Sequence, residues 1–456
     1  MSVSAGKTGR ANALIDRLRQ DHGARQSQTP PPPTPVPELD AKQAKGFDFS
    51  RLPHYAQLRI QRAVGEKIGV GSPFFRRIDE IDGAEVTIGN RRCIQFGSYN
   101  YVGLNRHPEL VEAVQQAAAD WGISASASRL VGGERPYHAA LERAIAEFLG
   151  TEDAIAMVSG HATNVTSIGA LLGPKDLILV DQLIHNSVSE GARLSGATRL
   201  TFPHNDWAWV DEKLSRLRGR YDRVLIVIEG LYSMDGDAPD LEKFVAVKAR
   251  HDAWLMVDEA HALGVMGETG RGIAEAQGID PQVVEIWMGT LSKTLCSCGG
   301  FIAGSAALIE YLRHKAAGFV FSVGLSAPHA VAAETALRLL DREPERVARL
   351  RQNGQRFLEG ARAAGLDTGL SEGLAVTPVI IGDSIRTVLA ADRVFEEGVN
   401  ALPIIFPAVP EKQARLRFFI TSEHTEAQID HAVEVTARVV RQLLAENPAD
   451  WMSQPG

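Results

Sequence analysis

The sequence predicts an α/β fold on a mostly parallel sheet, followed by a smaller C-terminal α+β domain. From about Asp153, short continuous apolar runs alternate with stretches of helical length. Runs rich in Val, Ile, Leu and Met at every position are typical of parallel strands buried on both faces. After about Ala330 the alternation ends, and a long helical stretch, three apolar runs and a final helix follow. This change predicts a second, smaller domain.

Each predicted strand of the larger sheet is one of five apolar runs: AIAMV, DLILVD, RVLIVIEG, AWLMVDEAH and EIWMGT. Function in such sheets lies at the carboxyl ends of the strands. The polar residues that end these runs are therefore candidate site residues: Asp181, Glu229, Asp258, Glu259 and Thr290. The C-terminal runs are LAVTPVIIG, GVNALPIIFPAVP and ARLRFFITSEHT, and AQIDHAVEVTARVVRQLLAEN is the final helix.

These patterns divide the chain into four segments. We expect an N-terminal arm with a Pro-rich linker (1–50), an N-terminal segment (51–95), a large domain (96–330) and a small domain (331–456). The stretch TPPPPTPVPELD reads as a stiff extended spacer after a short helix in ANALIDRLRQDH. The arm is either a frayed tail or dimer contact, or a docking element for a carrier protein or membrane surface.

The composition carries no sign of nucleic-acid or membrane binding. There are 48 Lys and Arg against 56 Asp and Glu, a formal charge of −8, which gives no basic footprint for nucleic acid. No apolar run approaches the ~18 residues of a spanning helix, and the first residues lack the apolar core of a secretory signal. The cysteines Cys93, Cys296 and Cys298 form no disulfide framework or zinc motif. We expect a cytoplasmic protein without a metal site.

One lysine is placed where its charge has no evident partner. In GTLSKTLCSCGG, Lys293 lies among small and hydroxyl-bearing residues just past a buried strand. An ammonium group is strongly hydrated and costly to bury. The position is explained if the amine forms an imine with the aldehyde of pyridoxal 5′-phosphate (PLP).

Such a cofactor needs a carboxylate beside its ring nitrogen, which must stay protonated. Asp258 ends a buried strand at the same edge as Lys293, and His261 can turn back towards the ring oxygen. The phosphate needs donors, which Thr290 and Ser292 can supply as hydroxyls. Taken singly, an Asp, Thr or Ser here is as readily a helix cap.

Two further stretches complete this set. MVSGHATN is a glycine turn between a strand and a helix, where free backbone N–H groups attract an anion. DQLIHNSVSEG supplies His185, whose imidazole can stack on the ring and hydrogen-bond to an incoming carboxylate. A lone histidine is more often structural.

The motifs NYVGL, HNS, EGLYSMDGDAPDL, DEAHALGVMGETGRG, GTLSKT and FSVGLSAP, in this order, resemble the α-oxoamine synthase family of fold-type-I PLP enzymes. The resemblance runs from about Phe96 to about Val433. It implies an aspartate aminotransferase-like fold with a large PLP-binding domain. It also implies decarboxylative Claisen-type condensation of a small amino acid (Ser, Ala or Gly) with an acyl-CoA or acyl-carrier-protein thioester, giving an α-amino ketone.

The resemblance assigns roles residue by residue. It implies that Lys293 forms the imine, Asp258 pairs with the ring nitrogen, His261 contacts the ring hydroxyl and His185 stacks on the ring. The other implied positions are Gly160 and His161 at the phosphate with Thr290 and Ser292 beside it, Glu229 and Ser233 lining the site, Asn100 near the substrate carboxylate, and Ser322 reaching the neighbouring subunit's phosphate. The resemblance therefore also implies a homodimer with active sites at the subunit interface.

Three departures bear on the substrate. Ile405 stands where some members carry an arginine, His161 replaces a common aromatic residue, and ISASASRLVGG replaces a more glycine-rich turn. We therefore expect the carboxylate to be held by His185 and Asn100, with Arg417 or Arg129. Ile405 and RLRFFITSEHT resemble members of polyketide or lipid assembly, which favours a serine palmitoyltransferase-like activity.

The alternatives differ in chemistry. One is an 8-amino-7-oxononanoate synthase of biotin synthesis, which uses a pimeloyl thioester. Another is a different fold-type-I enzyme, such as an aminotransferase. A non-catalytic partner subunit would lack the lysine, whereas this chain keeps Lys293, Asp258 and His185. The last alternative is a protein that docks to a membrane or a carrier protein through residues 1–40.

Overall fold

The computed structural model describes residues 48–447 and Trp451. Two compact units divide between Val64 and Gly65. The described part of the first holds the turn Phe49–Arg51, whose cap Asp48 accepts a hydrogen bond from the Ser50 amide, and most of helix α1. The sequence-predicted helix and Pro-rich spacer of the arm lie outside the described residues.

The strands of the described chain are β1 Glu80–Asp82, β2 Glu85–Ile88, β3 Arg91–Gln95, β4 Asp153–Met157, β5 Leu177–Asp181, β6 Thr198–Phe202, β7 Val224–Glu229, β8 Trp254–Asp258, β9 Ile286–Thr290, β10 Gly300–Gly304, β11 Val376–Gly382, β12 Val399–Asn400, β13 Leu402–Ile404 and β14 Ala414–Phe419. The α-helices are α1 Pro53–Lys67, α2 Pro108–Trp121, α3 Pro136–Leu149, α4 Gly160–Leu171, α5 Asn186–Ser195, α6 Trp207–Leu217, α7 Leu241–Arg250, α8 Ile273–Gln277, α9 Ala306–Lys315, α10 Ala317–Val320, α11 Ala327–Arg342, α12 Glu345–Ala363, α13 Ser384–Glu396 and α14 Glu426–Ala445.

A seven-stranded sheet in the order β4-β10-β9-β8-β7-β5-β6 forms the centre of the second unit. Its strands run parallel except β10, which is antiparallel to both β4 and β9. This confirms the predicted mostly parallel sheet, and all five apolar runs form strands. The sequence analysis missed β6 and β10. The edge strand β6 is largely exposed and so has no continuous apolar run, and the five residues of β10 begin and end with glycine.

Both faces of the sheet are covered, as the continuous apolar runs predict. In β7, Ile226 and Ile228 pack into one hydrophobic cluster, whereas Leu225 and Val227 pack into another. Because alternate residues of a strand point to opposite faces, each cluster fills one side of the sheet. No helix of residues 48–447 has the length and apolarity needed to cross a membrane.

The register of the sheet brings the polar strand ends together. Glu229 of β7 pairs with Asp258 of β8, and Thr290 of β9 pairs with Gly300 of β10. Lys293 follows β9 by three residues. The candidate residues therefore converge because parallel strands end at one edge.

The C-terminal part holds a three-stranded sheet in the order β11-β14-β13. The N-terminal strands β1 to β3 form a second small sheet with β12, which pairs in parallel with β3. The single long stretch predicted as helical is broken into α11 and α12 at Pro344, since proline disfavours helix at the residue before it. Strand β14 carries Arg417 to the edge of the candidate site.

Candidate active site

Lys293 is half-buried, and its side-chain amine contacts no carboxylate of the described residues. Its Nζ makes no hydrogen bond or salt bridge with the residues that the structure describes, and it lies 5.6 Å from the centroid of the Tyr99 ring. Burial lowers the pKa of Lys293 to about 8, although the charges of Asp258 and Glu229 oppose this shift. A minor fraction of the amine is therefore neutral near physiological pH, larger than for an ordinary lysine, and this is the form that a nucleophile or base requires.

A cavity of about 320 Å³ opens beside this lysine. It brings together ten of the residues that the sequence analysis singled out: Gly160, His161, His185, Glu229, Ser233, Asp258, His261, Thr290, Ser292 and Lys293. Their placement follows from the strand ends and from the first turns of the helices after them.

One end of the cavity is built for an anion. Helix α4 begins at Gly160, where the first backbone N–H groups have no partner within the helix. The Thr290 and Ser292 hydroxyl oxygens lie 2.8 Å apart at the same end. A Cβ at Gly160 would lie 2.8 Å from Thr290 Oγ1, so only glycine allows this close approach. Backbone and hydroxyl donors of this kind suit a phosphate.

Asp258 contributes a buried carboxylate to the lining of the same cavity. Asp258 is 4% exposed, and its Oδ1 and Oδ2 accept hydrogen bonds from the Ala260 amide at 3.0 Å and Asn164 Nδ2 at 2.9 Å. It forms no salt bridge with any described residue. Since a buried carboxylate needs a cation to offset its lost hydration, this position suits a protonated ring nitrogen.

His261 is fixed from behind by Tyr101, a residue that the sequence analysis did not single out. The Tyr101 hydroxyl lies 2.7 Å from His261 Nδ1. Burial lowers the pKa of His261 well below its usual value and raises the pKa of Tyr101. Tyr101 therefore donates to a neutral imidazole, which leaves the Nε2 proton available to a ring oxygen.

Glu229 holds the backbone on either side of the cavity. Its Oε1 accepts a hydrogen bond from the His185 amide at 2.7 Å, and its Oε2 accepts one from the Ser233 amide at 3.4 Å. Burial, with the nearby charge of Asp258, raises the pKa of Glu229 to about 8. Glu229 is therefore mainly neutral at neutral pH, next to the Asp258 carboxyl group at the adjacent strand end.

Six predicted residues do not line this cavity: Asp181, Glu259, Asn100, Ser322, Arg129 and Arg417. Asn100 lines a second cavity of about 380 Å³, which shares Lys293 and Ser292 with the first. Its Nδ2 donates to Glu423 Oε2 at 3.0 Å. Ser322 lines a separate small cleft that also contains Arg129.

The two candidate arginines differ in their partners. Arg129 is 8% exposed and donates to the carboxylates of both Glu134 and Glu142. Its charge is therefore already paired, away from Lys293. Arg417 donates to the Ser233 carbonyl at 3.1 Å, has a buried Nε without a partner, and forms no salt bridge within the described chain. After burial, its charge is among the causes that lower the pKa of Lys293.

Fold and site together define a PLP-dependent transferase of fold type I. Residues 91–435 match the family described as aminotransferase class I and II. An 8-amino-7-oxononanoate synthase of Treponema denticola is 37% identical over 360 residues, which is 79% of this chain and 91% of that protein. A serine palmitoyltransferase of Sphingobacterium spiritivorum is 36% identical over 374 residues, 82% and 93% of the two chains.

The solved structures agree. A serine palmitoyltransferase variant from S. paucimobilis with a bound PLP–myriocin aldimine has a TM-score of 0.83 and 29% identity, covering 86% of this chain and 99% of that one. The chain belongs to the α-oxoamine synthase family of PLP-dependent acyltransferases. This confirms the resemblance read from the motifs.

PLP is the cofactor of this family, and the residues present fit it. The N-terminus of α4 with Thr290 can hold the phosphate, and Asp258 can pair with the ring nitrogen. Lys293 supplies an amine with a lowered pKa beside the cavity. These three features match the three ends of the cofactor.

Proposed function

We propose that the protein condenses a small amino acid (Ser, Ala or Gly) with an acyl thioester, releasing carbon dioxide and an α-amino ketone, as a serine palmitoyltransferase does. The observation that carries the proposal is the position of Lys293, which lines both the cavity fitted to PLP and the second cavity. A reaction that joins two substrates on one amino-acid carbon needs access from two directions.

Bound PLP supplies an electron sink for the pair left on the amino-acid Cα when its proton or carboxylate is lost. The chain's own part is to hold the groups and move protons. Lys293, partly neutral near pH 8, removes the Cα proton and returns one to the product. With PLP bound, Asp258 would face the ring nitrogen, and His261 would donate from Nε2 to the ring oxygen.

Arg417 is our candidate for the amino-acid carboxylate. It is a cation without a carboxylate partner among the described residues, and after burial its charge contributes to the lowered pKa of His185 as well as that of Lys293. A guanidinium can bind a carboxylate through two parallel hydrogen bonds. Arg129 is left out of this role because Glu134 and Glu142 already occupy it. Asn100 is likewise engaged with Glu423, so we place it near the acyl donor.

The second cavity favours an acyl chain without a terminal charge. Its lining includes Ile78, Ile81 and Val86, and Lys293 is the one cation among the described residues that line it. Glu423 also lines it, and burial raises the pKa of that carboxyl. A pimeloyl chain would bring a second carboxylate towards Glu423, in a cavity where Lys293 is the one cation among the described lining residues. This supports a long-chain or carrier-bound neutral acyl donor over the biotin-synthesis alternative.

We also propose a homodimer with its active sites at the subunit interface. The segment around Ser322 exposes Phe321 at 86%, and the neighbouring turn exposes Val131 at 85%. The amide of Gly324 donates to the Ala127 carbonyl at 3.0 Å, which ties the two segments together. Apolar side chains exposed to this degree are typical of an interaction surface. Ser322 on that surface suits a contact with the neighbouring subunit's phosphate.

We propose a cytoplasmic location and a PLP-binding domain at residues 96–330. The cysteines Cys93, Cys296 and Cys298 are all free, which supports a reducing compartment such as the cytoplasm. The large domain at 96–330 contains the whole seven-stranded sheet, which supports its assignment as the PLP-binding domain.

The test is a pair of product measurements on the PLP-loaded enzyme. L-Ser, L-Ala or Gly is supplied with a palmitoyl thioester, and free thiol and carbon dioxide are followed together. The proposal predicts one thiol and one carbon dioxide for each α-amino ketone formed. An aminotransferase would instead convert the amino acid to its keto acid and release neither. That result with every amino acid and thioester would contradict the proposal.

A further inference from the structure

Two buried side chains that the sequence analysis did not single out connect Asp258 to His185. Asn164 Nδ2 lies 2.9 Å from Asp258 Oδ2 and 2.9 Å from Ser187 Oγ. Ser187 Oγ lies 2.7 Å from His185 Nδ1. Asn164 is 1% exposed and Ser187 is 0% exposed. The chain of contacts therefore runs from the charged carboxylate to the imidazole without reaching solvent.

The donors in this chain follow from chemistry. Both oxygens of Asp258 accept hydrogen bonds, Oδ1 from the Ala260 amide and Oδ2 from Asn164 Nδ2, so the NH₂ group of Asn164 faces Asp258. The two protons on Asn164 Nδ2 then serve Asp258 and Ser187 Oγ. Because the serine oxygen accepts from the amide, its own proton is free to be donated to His185 Nδ1.

The backbone supports the same direction. The Ser187 amide also donates to His185 Nδ1, at 3.3 Å. A protonated Nδ1 would face this N–H and would leave the Ser187 hydroxyl proton without its acceptor. Nδ1 is therefore the bare nitrogen. Burial lowers the pKa of His185, with the charge of Lys293 acting in the same sense and that of Asp258 opposing it, so the neutral ring carries its one proton on Nε2.

We propose that Asn164 and Ser187 are positioning residues that hold His185 as its Nε2–H tautomer. They do so through the hydrogen bonds that connect the imidazole to the Asp258 carboxylate. The Asn164 Oδ1 atom supports a role beyond packing, since it is buried without a hydrogen-bond partner among the described residues. An apolar side chain of similar size would avoid that unmet acceptor. The presence of an asparagine here is explained if its two amide protons are needed as donors to Asp258 and Ser187.

The fixed tautomer of His185 affects amino-acid binding, a consequence that rests on the proposed function. A stacked imidazole with its proton fixed on Nε2 presents a donor to the amino-acid carboxylate in every turnover. If the tautomer were free, part of the population would present a bare nitrogen to that carboxylate and repel it.

The first measurement needs neither cofactor nor substrate. The protein is labelled with ¹⁵N-histidine, the two ring nitrogens of His185 are recorded by NMR without PLP, and His185→Gln identifies the signals. We expect Nδ1 to show the shift of a bare nitrogen and Nε2 that of a protonated one. In Ser187→Ala and Asn164→Leu both signals should move towards a common average. Ser195→Ala removes a buried hydroxyl from the same helix outside this chain of contacts and should change neither signal.

A protonated Nδ1 in the unmodified protein would overturn the proposal. So would unchanged signals in both Ser187→Ala and Asn164→Leu when circular dichroism shows them folded. If either variant fails to fold, Ser187→Thr, which keeps a hydroxyl, is measured instead. Two separate nitrogen signals would support the proposal, and a common average would contradict it.

The second measurement separates this proposal from the proposed function. In PLP-loaded Ser187→Ala we expect the KM for the amino acid to rise about tenfold, with a smaller fall in kcat and an unchanged KM for the thioester. Absence of thiol release by the unmodified enzyme with every substrate pair would defeat the proposed function and leave the NMR result standing. Normal turnover with the wrong tautomer would defeat this inference alone.

Discussion

Glu229 and Asp258 are register partners at the carboxyl ends of β7 and β8, and both are buried. Burial, added to the charge of Asp258, raises the pKa of Glu229 to about 8. At neutral pH Glu229 is therefore mainly a neutral group that fixes the backbone of His185, whereas Asp258 is the carboxyl group placed to pair with the ring nitrogen of PLP.

This difference predicts unequal effects of the same chemical change. Glu229→Gln copies the neutral form and should lower kcat/KM at pH 7 by less than about fivefold. Asp258→Asn removes the charge opposite the ring nitrogen and should lower it by at least about 100-fold, or ~2.7 kcal/mol. Steady-state kinetics on both PLP-loaded variants provide the comparison. Equal losses in the two variants would contradict the assignment of the charge.

The lowered pKa of Lys293 predicts how PLP uptake depends on pH. The neutral amine is the form that reacts with an aldehyde, and it becomes the major form above pH of about 8. The uptake rate should rise about tenfold per pH unit below that value and level off above it. Stopped-flow absorbance of protein mixed with PLP at several pH values measures this. A rate that still rises tenfold per unit beyond pH 9 would indicate an ordinary lysine.

Arg417 should act on amino-acid binding. Arg417→Gln removes the cation, so the KM for the amino acid should rise about 10- to 100-fold, the range expected for a charge-assisted hydrogen bond. Arg417→Lys keeps the charge without the fork and should fall between this variant and the unmodified enzyme. PLP content and the KM for the thioester are the controls. An unchanged amino-acid KM in Arg417→Gln would remove the residue from this role.

Glu423 should determine which acyl chains are accepted. The unmodified enzyme should prefer a neutral acyl-CoA to one of equal length with a terminal carboxylate, because Glu423 repels the second charge. In Glu423→Gln the amide oxygen can still accept from Asn100, so the preference should shrink about tenfold with little change for the neutral donor. The ratio of the two kcat/KM values is the readout. A ratio that does not change would show that Glu423 does not select the chain.

The parts of the site that sequence reasoning reached are those that one-dimensional patterns encode. Asp258 and Thr290 end apolar runs, and Lys293 follows one closely. Since parallel strands end at one edge, their meeting follows from the fold class alone. Glu229 also ends an apolar run, and the motif resemblance added Ser233; the structure brings both to the cavity.

The residues that were missed act through contacts between distant segments. Asn164 and Asp258 are 94 positions apart, and Tyr101 and His261 are 160 apart. No local pattern marks such pairs, although Asn164 and Tyr101 stand inside stretches that were singled out, MVSGHATN and NYVGL. Arg129 shows the opposite limit, since its sequence neighbourhood gave no sign that Glu142, on helix α3, would occupy its guanidinium.

The covalent attachment of PLP to Lys293 is the claim on which the other roles depend. The direct measurement is to load the purified protein with PLP, reduce it with borohydride, digest it and determine which peptide has gained the cofactor's mass. We predict one modified position, Lys293, and no fixed cofactor in Lys293→Ala. Cofactor fixed at another lysine, or none fixed in a protein that binds PLP, would contradict the account.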